Sequence, residues 1–227
     1  WQQTGGACDN GDPLNAIVLE AGDAVTCATS YRKLGRILVT KQTLPADATA
    51  TFTFTPSYGG AFTLSDGQQH TAADLTPGNY SVAETLPAGW AQTSATCDDG
   101  SAPGAIALGA GETVTCAFVN ARLGLALTKT PTPNQVTTPG GDVSLAVAVT
   151  NSGQAQLTLT SLSDSIFGNV ADAGNAALKS TTCTLPQMLP PGGDYTCAFT
   201  ATVSGAAGAV HRNTLLATAG GPGNSSV

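Results

Sequence analysis

Tandem all-β sandwich domains stapled by disulfides are the architecture that this 227-residue sequence predicts. Three observations predict it: short alternating strands punctuated by Gly/Pro turns, six cysteines in three local pairs, and a gapless internal repeat. The strands come first. Alternation of apolar and polar residues runs through Arg36–Thr40, Thr51–Thr55 and Asn79–Ala83, the period that gives a strand one buried face. Turn chemistry separates them at Gly59-Gly60, Asp66-Gly67, Pro77-Gly78-Asn79, Pro87-Ala88-Gly89 and Pro191-Gly192-Gly193. No segment keeps a capped helical period, although Asp172–Lys179 is long enough for a single helical turn.

The cysteines pair locally as Cys8 with Cys27, Cys97 with Cys116 and Cys183 with Cys197. An even number at such spacing reads as disulfides and hence as an oxidising, extracellular compartment. Zinc would want C-x-x-C spacing or histidine partners, and His70 and His211 are remote in sequence from every pair. No metal or other cofactor is expected.

The repeat sets the domain boundaries. An offset of 89 positions carries Trp1 onto Trp90, Cys8 onto Cys97, Ile17 onto Ile106, Cys27 onto Cys116 and Leu34 onto Leu123. Residues 1–33 therefore read as the C-terminal part of a preceding domain, 34–122 as a complete copy, and 123–227 as a second domain type. The chain starts at Trp1 without a methionine, so a longer protein is expected. Junctions at Lys33-Leu34 and Arg122-Leu123 run strand into strand, which favours a stiff rod over a flexible tether.

Composition excludes whole function classes. Charged residues are 10% of the chain and the formal net charge is −7, so no basic stripe exists to neutralise nucleic-acid phosphates. A polybasic membrane-surface site is disfavoured on the same grounds, and no apolar run is long enough to span a bilayer.

Here the residues support a family reading. Residues 34–122 resemble the prealbumin-like, or Cna-B-like, repeats of bacterial surface adhesins and pilins. The matching pieces are G-R-I-L-V-T-K at Gly35–Lys41, L-T-P-G-N-Y-S-V-A-E-T-L-P-A-G-W at Leu75–Trp90, and G-E-T-V-T-C-A-F-V-N at Gly111–Asn120. Residues 123–227 resemble the Ig-like repeat domain of unknown function of bacterial cell-wall and outer-surface proteins. That likeness rests on L-A-L-T-K-T, V-A-V-T-N-S-G, C-T-L-P-Q-M-L-P-P-G-G-D-Y-T-C-A-F-T and N-T-L-L-A-T-A. Both resemblances imply extracellular spacer or fibre modules rather than enzymes.

The prealbumin-like resemblance also implies one piece of chemistry. Many such domains form an intramolecular isopeptide bond between a lysine of the first strand and an asparagine of the last, with a buried glutamate moving the proton. The pattern falls on Lys41, Asn120 and Glu84. Strand parity offers an independent check, because residues two apart share a face. Lys41 continues the row Ile37, Val39; Glu84 continues Tyr80, Val82; Asn120 continues Val114, Cys116, Phe118. Strand-end positions where polar side chains reach water would show the same parity. In the preceding repeat Tyr31 stands at the register of Asn120, so that acceptor is absent there. In the second domain Lys129 follows Leu125 and Leu127, and Asn151 follows Val147 and Val149; Asn213 is another acceptor and Asp164 a proton carrier. The resemblance says less about a bond in that domain, and none is expected.

Other chemistries fit poorly. No G-x-S-x-G elbow accompanies the two histidines, which read as exposed loop residues. The D-N-G-D run at Asp9–Asp12 and the D-D-G run at Asp98–Gly100 lack the ligand spacing of a calcium loop and read as turns. Trp1 and Trp90 read as a structural cap at one end of each sandwich rather than as sugar platforms. The function expected is a structural module of a bacterial surface stalk, fibre or filament. Its partners would be neighbouring domains or subunits, including further copies of itself. The rival reading is an adhesin module for a host or carbohydrate ligand.

Overall fold

The computed structural model describes residues 1–46 and 48–227. Contacts divide them into two compact units, one of residues 1–42, 49–85 and 94–118, the other of 43–48, 86–93 and 119–227. The chain is all-β, and the only helical element among the described residues is a 3-10 turn at Pro222–Asn224.

Among the described residues eleven strands precede Leu123: β1 (Gln2–Cys8), β2 (Cys27–Arg32), β3 (Gly35–Leu44), β4 (Phe52–Pro56), β5 (Phe62–Leu64), β6 (Gln69–Leu75), β7 (Gly78–Tyr80), β8 (Val82–Thr85), β9 (Trp90–Cys97), β10 (Ile106–Leu108) and β11 (Thr113–Arg122). They form a hairpin β1–β2, a four-stranded sheet in the order β6–β3–β11–β9, a three-stranded sheet β5–β4–β8, and the pair β10–β7. The alternation read from sequence has its physical counterpart in burial. Ile37 and Val39 on β3, Phe52 and Phe54 on β4, and Val114, Cys116 and Phe118 on β11 are all inside. Phe54 anchors this core, stacked on Phe62 at 5.3 Å and edge-on to Phe118 at 5.1 Å.

The segment Asn79–Ala83, which alternation presents as one strand, is two. At Ser81 the chain changes partner: Tyr80 pairs with Ile106 on β10, whereas Val82 to Thr85 pair with β4. Parity survives the break, so Val82 is still buried and the Glu84 side chain still points inward.

The repeat is visible as geometry. In the first copy the Asp9 N–H donates to Thr26 O and the Thr26 N–H to Asp9 Oδ1; in the second, Asp98 and Thr115 do the same. Gly11 and Gly100 close the same turn at φ 87° and 84°, a conformation that favours glycine. The copies differ in burial at one equivalent position. Ile106 is fully buried against Tyr80, whereas its equivalent Ile17 is 44% exposed, with Val18 and Leu19 beside it.

Eight strands build the remainder: β12 (Leu125–Thr132), β13 (Gly140–Asn151), β14 (Leu157–Asp164), β15 (Gly168–Asn169), β16 (Ser180–Thr181), β17 (Gln187–Leu189), β18 (Asp194–Ser204) and β19 (Leu215–Gly220). One sheet runs β12–β13–β18–β16; the other runs β15–β14–β17, with β19 also paired to β14. Leu145, Val147 and Val149 of β13 and Phe199 of β18 share one core with Leu157, Leu159 and Leu162 of β14 and Leu215 of β19. Close backbone approach ties the turn after β13 to residues 122–124. The Gln154 N–H donates to Arg122 O, and a Cβ on Gly153 would lie 2.7 Å from that same oxygen. Asp172–Lys179 forms two successive turns, closed on Asp172 O and Asn175 O, rather than a helix. The Asp172 and Asn175 side chains accept from the Gly174 and Ala177 N–H groups, and such local capping competes with a helix.

Candidate functional site

Lys41 lies on the buried row of β3, with side-chain exposure of 0%, and Glu84 on β8 is equally enclosed. Their Nζ and Oε1 are 3.5 Å apart. Nζ also donates to Gln42 O at 2.8 Å and to Phe118 O at 3.4 Å, and it sits 4.3 Å from the centre of the Phe52 ring. Burial pulls the Lys41 amine below the ordinary lysine range, against the opposing charges of Glu84 and Asp66. An amine held this way is closer to its neutral, nucleophilic form than a surface lysine. Asn120 is fully buried, two residues beyond Phe118 on the same face of β11. The buried environment of all three residues distinguishes them from strand-end groups reaching water. At Tyr58, whose ring lies edge-on to Tyr80 at 5.8 Å, burial raises the hydroxyl to about 12.

All six cysteines are disulfide-bonded, as Cys8–Cys27, Cys97–Cys116 and Cys183–Cys197. The first two close the same hairpin position in each repeat, both over a separation of 19 residues. In the chain-entropy picture a loop of that size is worth about 3 kcal/mol. Replacing Cys97 and Cys116 together by serine should therefore lower unfolding free energy by about 3 kcal/mol, measured by urea titration against the oxidised parent.

In the second unit Lys129, Asp164 and Asn213 meet. Nζ of Lys129 is 2.7 Å from Asp164 Oδ2 and 2.7 Å from Asn213 Oδ1, and Asn213 Nδ2 is 2.8 Å from Asp164 Oδ2. Burial pushes the Asp164 carboxyl up, but the Lys129 hydrogen bond and the Ile166 and Phe167 N–H groups outweigh it and hold it low. Asn151, which shares core-facing parity with Lys129, is elsewhere engaged. Its Nδ2 donates to Ala155 O and Leu189 O, and its Oδ1 accepts from the Gly153 N–H, so it braces the turn after β13.

His70 is a strand residue of β6, half-buried and stacked on Phe62 at 3.8 Å, not a loop residue; its place opposite Val39 puts it over the sheet. His211 is exposed and lies 5.8 Å from the Phe167 ring. Asp12 and Asp99 are turn residues: Asp12 accepts from the Val18 N–H, and Asp99 from the Ser101 N–H and hydroxyl. Trp1 is exposed and Trp90 half-buried on β9. Among the described residues no three His, Cys, Asp or Glu side chains gather as a metal site requires.

These features define an all-β protein of disulfide-stapled sandwich modules. Residues 37–122 match the family of the prealbumin-like fold domain. Among solved structures, the chain is similar to BcpA, the major pilin subunit of Bacillus cereus, at 14% identity and a TM-score of 0.44. That alignment covers 86% of this chain and 66% of the pilin, so the chain spans slightly less than two thirds of that relative. It is also similar to the RrgB pilus protein of Streptococcus pneumoniae, at 11% identity, 82% and 48% coverage, and a TM-score of 0.32. No curated protein matches it. Among the described residues no helix is long and apolar enough to cross a membrane.

Proposed function

We propose that this chain is a structural segment of an extracellular bacterial surface fibre, with residues 1–33 as the C-terminal part of one prealbumin-like module, 34–122 as a complete second copy and 123–227 as an Ig-like module. The observation that carries the reading is the repeated hairpin: the same disulfide, turn glycine and reciprocal Asp–Thr hydrogen bonds recur at an offset of 89 positions. Tandem copies of one stapled unit with short junctions suit a load-bearing spacer, and disulfides suit a compartment with proteases and no reducing buffer. The module at 34–122 locks itself by an amide link from Lys41 to Asn120, with Glu84 as the proton carrier. Support comes from the fully buried Lys41–Glu84 pair, the lowered amine and the buried Asn120. This is a single self-modification, not turnover of a substrate.

Antibody raised to residues 1–227 should decorate fibres on intact source cells in electron micrographs; label confined to the cytoplasm would sink the fibre reading. For the link, proteolysis of the reduced chain should yield a branched peptide joining Lys41 to Asn120, lighter by one ammonia. Recovery of both residues in linear peptides would leave the disulfides as the only staples of that module.

A further inference from the structure

Residues 204–212, at the end of β18 and in the loop that leads to β19, are all exposed, Val210 at 74%. Little holds this loop. The Gly205 N–H donates to Pro139 O and the Ala209 N–H to Ala206 O. Residues 206–210 read Ala-Ala-Gly-Ala-Val, so no side-chain polar atom is present there to fasten the chain. The loop also borders a cavity of about 160 Å³ shared with Val136, Thr137 and Thr138, which leaves it loosely packed. Other exposed stretches are tied down. In 15–24 the Val18 N–H is taken by Asp12 and the Glu20 N–H by Asp23, and the Cys8–Cys27 disulfide closes the ends. In 171–177 the Asn169, Asp172 and Asn175 side chains each accept a backbone N–H. Residues 131–139 carry three prolines, Pro131, Pro133 and Pro139.

We infer that the β18–β19 loop is a site of limited proteolysis, cut between Val210 and His211 by a serine protease with a small apolar S1 pocket. A protease takes its substrate as an extended strand, so the loop that opens at least cost is cut first. Small uncharged side chains through 206–210 suit a small S1 pocket rather than an anionic one, and Val210 is the largest of them. His211 and Arg212 beyond the bond are exposed as well. A cut after Arg212 would have to open Asn213, held by Lys129 and Asp164, and Thr214, held by Ser165. In the reaction the protease serine attacks the Val210 carbonyl carbon and the C–N bond breaks. The His211 nitrogen leaves with the serine proton. Water then hydrolyses the ester, which gives Val210 a carboxylate and restores the serine, so one water is consumed.

No disulfide bridges this cut, since all six cysteines precede it. The strand beyond it is held all the same. β19 pairs with β14 from Thr158↔Gly220 to Asp164↔Leu215, and Leu215 and Ala219 are buried. The Asn213 carboxamide grips Lys129 and Asp164 at 2.7 and 2.8 Å. Proteolysis therefore leaves 211–227 seated in the second unit without a continuous backbone to β18. This holds whether or not the chain forms part of a fibre.

The test exposes the full oxidised 227-residue chain to a low ratio of pancreatic elastase and sequences the new N-termini over time. The first new N-terminus should be His211, and 211–227 should co-elute with the remainder on gel filtration. Val210→Asp changes an exposed side chain, so the fold should persist, checked by an unchanged urea midpoint. It should slow this cut by at least about tenfold, because an apolar S1 pocket does not accept a carboxylate. A first cut elsewhere would overturn the proposal. So would a folded chain that resists elastase while the urea-unfolded chain is digested, or a His211 terminus that forms at the parent rate in Val210→Asp. Immediate loss of 211–227 from the column would overturn the seated strand.

Discussion

Truncation of Glu84 to alanine is expected to destabilise the chain by about 3–5 kcal/mol, the usual cost of stranding a buried charge by removing its partner. Lys41 is among the largest fully buried side chains of the described residues, and besides Glu84 its amine meets the oxygen of Gln42, the oxygen of Phe118 and the ring of Phe52, with Asp66 as a weaker second charge. Carbonyl and ring contacts solvate a cation without neutralising it. Two further variants separate a bare ion pair from the proposed lock. Lys41→Met with Glu84→Leu exchanges the charges for apolar groups of similar volume, an exchange that is near neutral or stabilising for an ion pair alone. If the amide link to Asn120 forms, the same double variant loses a covalent cross-link and falls well below the parent. Urea midpoints of the parent, Glu84→Ala and the double variant distinguish the cases directly.

How far the sequence reached depends on what each signal encodes. Cysteine spacing and the repeat are one-dimensional facts, and the paired hairpins Cys8–Cys27 and Cys97–Cys116 follow from them without any tertiary knowledge. Parity is nearly as good, since it reports a face: Lys41, Asn120 and Asn151 are all buried as their rows imply. A face is not a partner, however. Parity favours Asn151 over Asn213 as the companion of Lys129, yet Asn151 closes the end of its own strand and is consumed by Ala155, Leu189 and Gly153. Asn213 lies just outside β19, where no period is legible; it meets Lys129 because β19 returns beside β14, with Leu215 opposite Asp164. The break at Ser81 was hidden for a related reason. A strand that changes sheets without a change of parity leaves its alternation intact, so only the pairing partners reveal it.

Phe199→Ala should cost about 3–5 kcal/mol, the range for removing a buried aromatic ring whose cavity cannot collapse. Phe199 is 1% exposed, directly opposite Leu145 on β13, and its ring meets Phe167 at 6.1 Å across the core. The neighbouring Cys183–Cys197 disulfide holds the backbone and limits relaxation into the void. Against a total of about 5–15 kcal/mol for a domain, such a loss is large, and it should lower the unfolding midpoint by roughly 10–30 °C. Leu216, exposed on the adjoining surface, should tolerate alanine within about 0.5 kcal/mol and serves as the control.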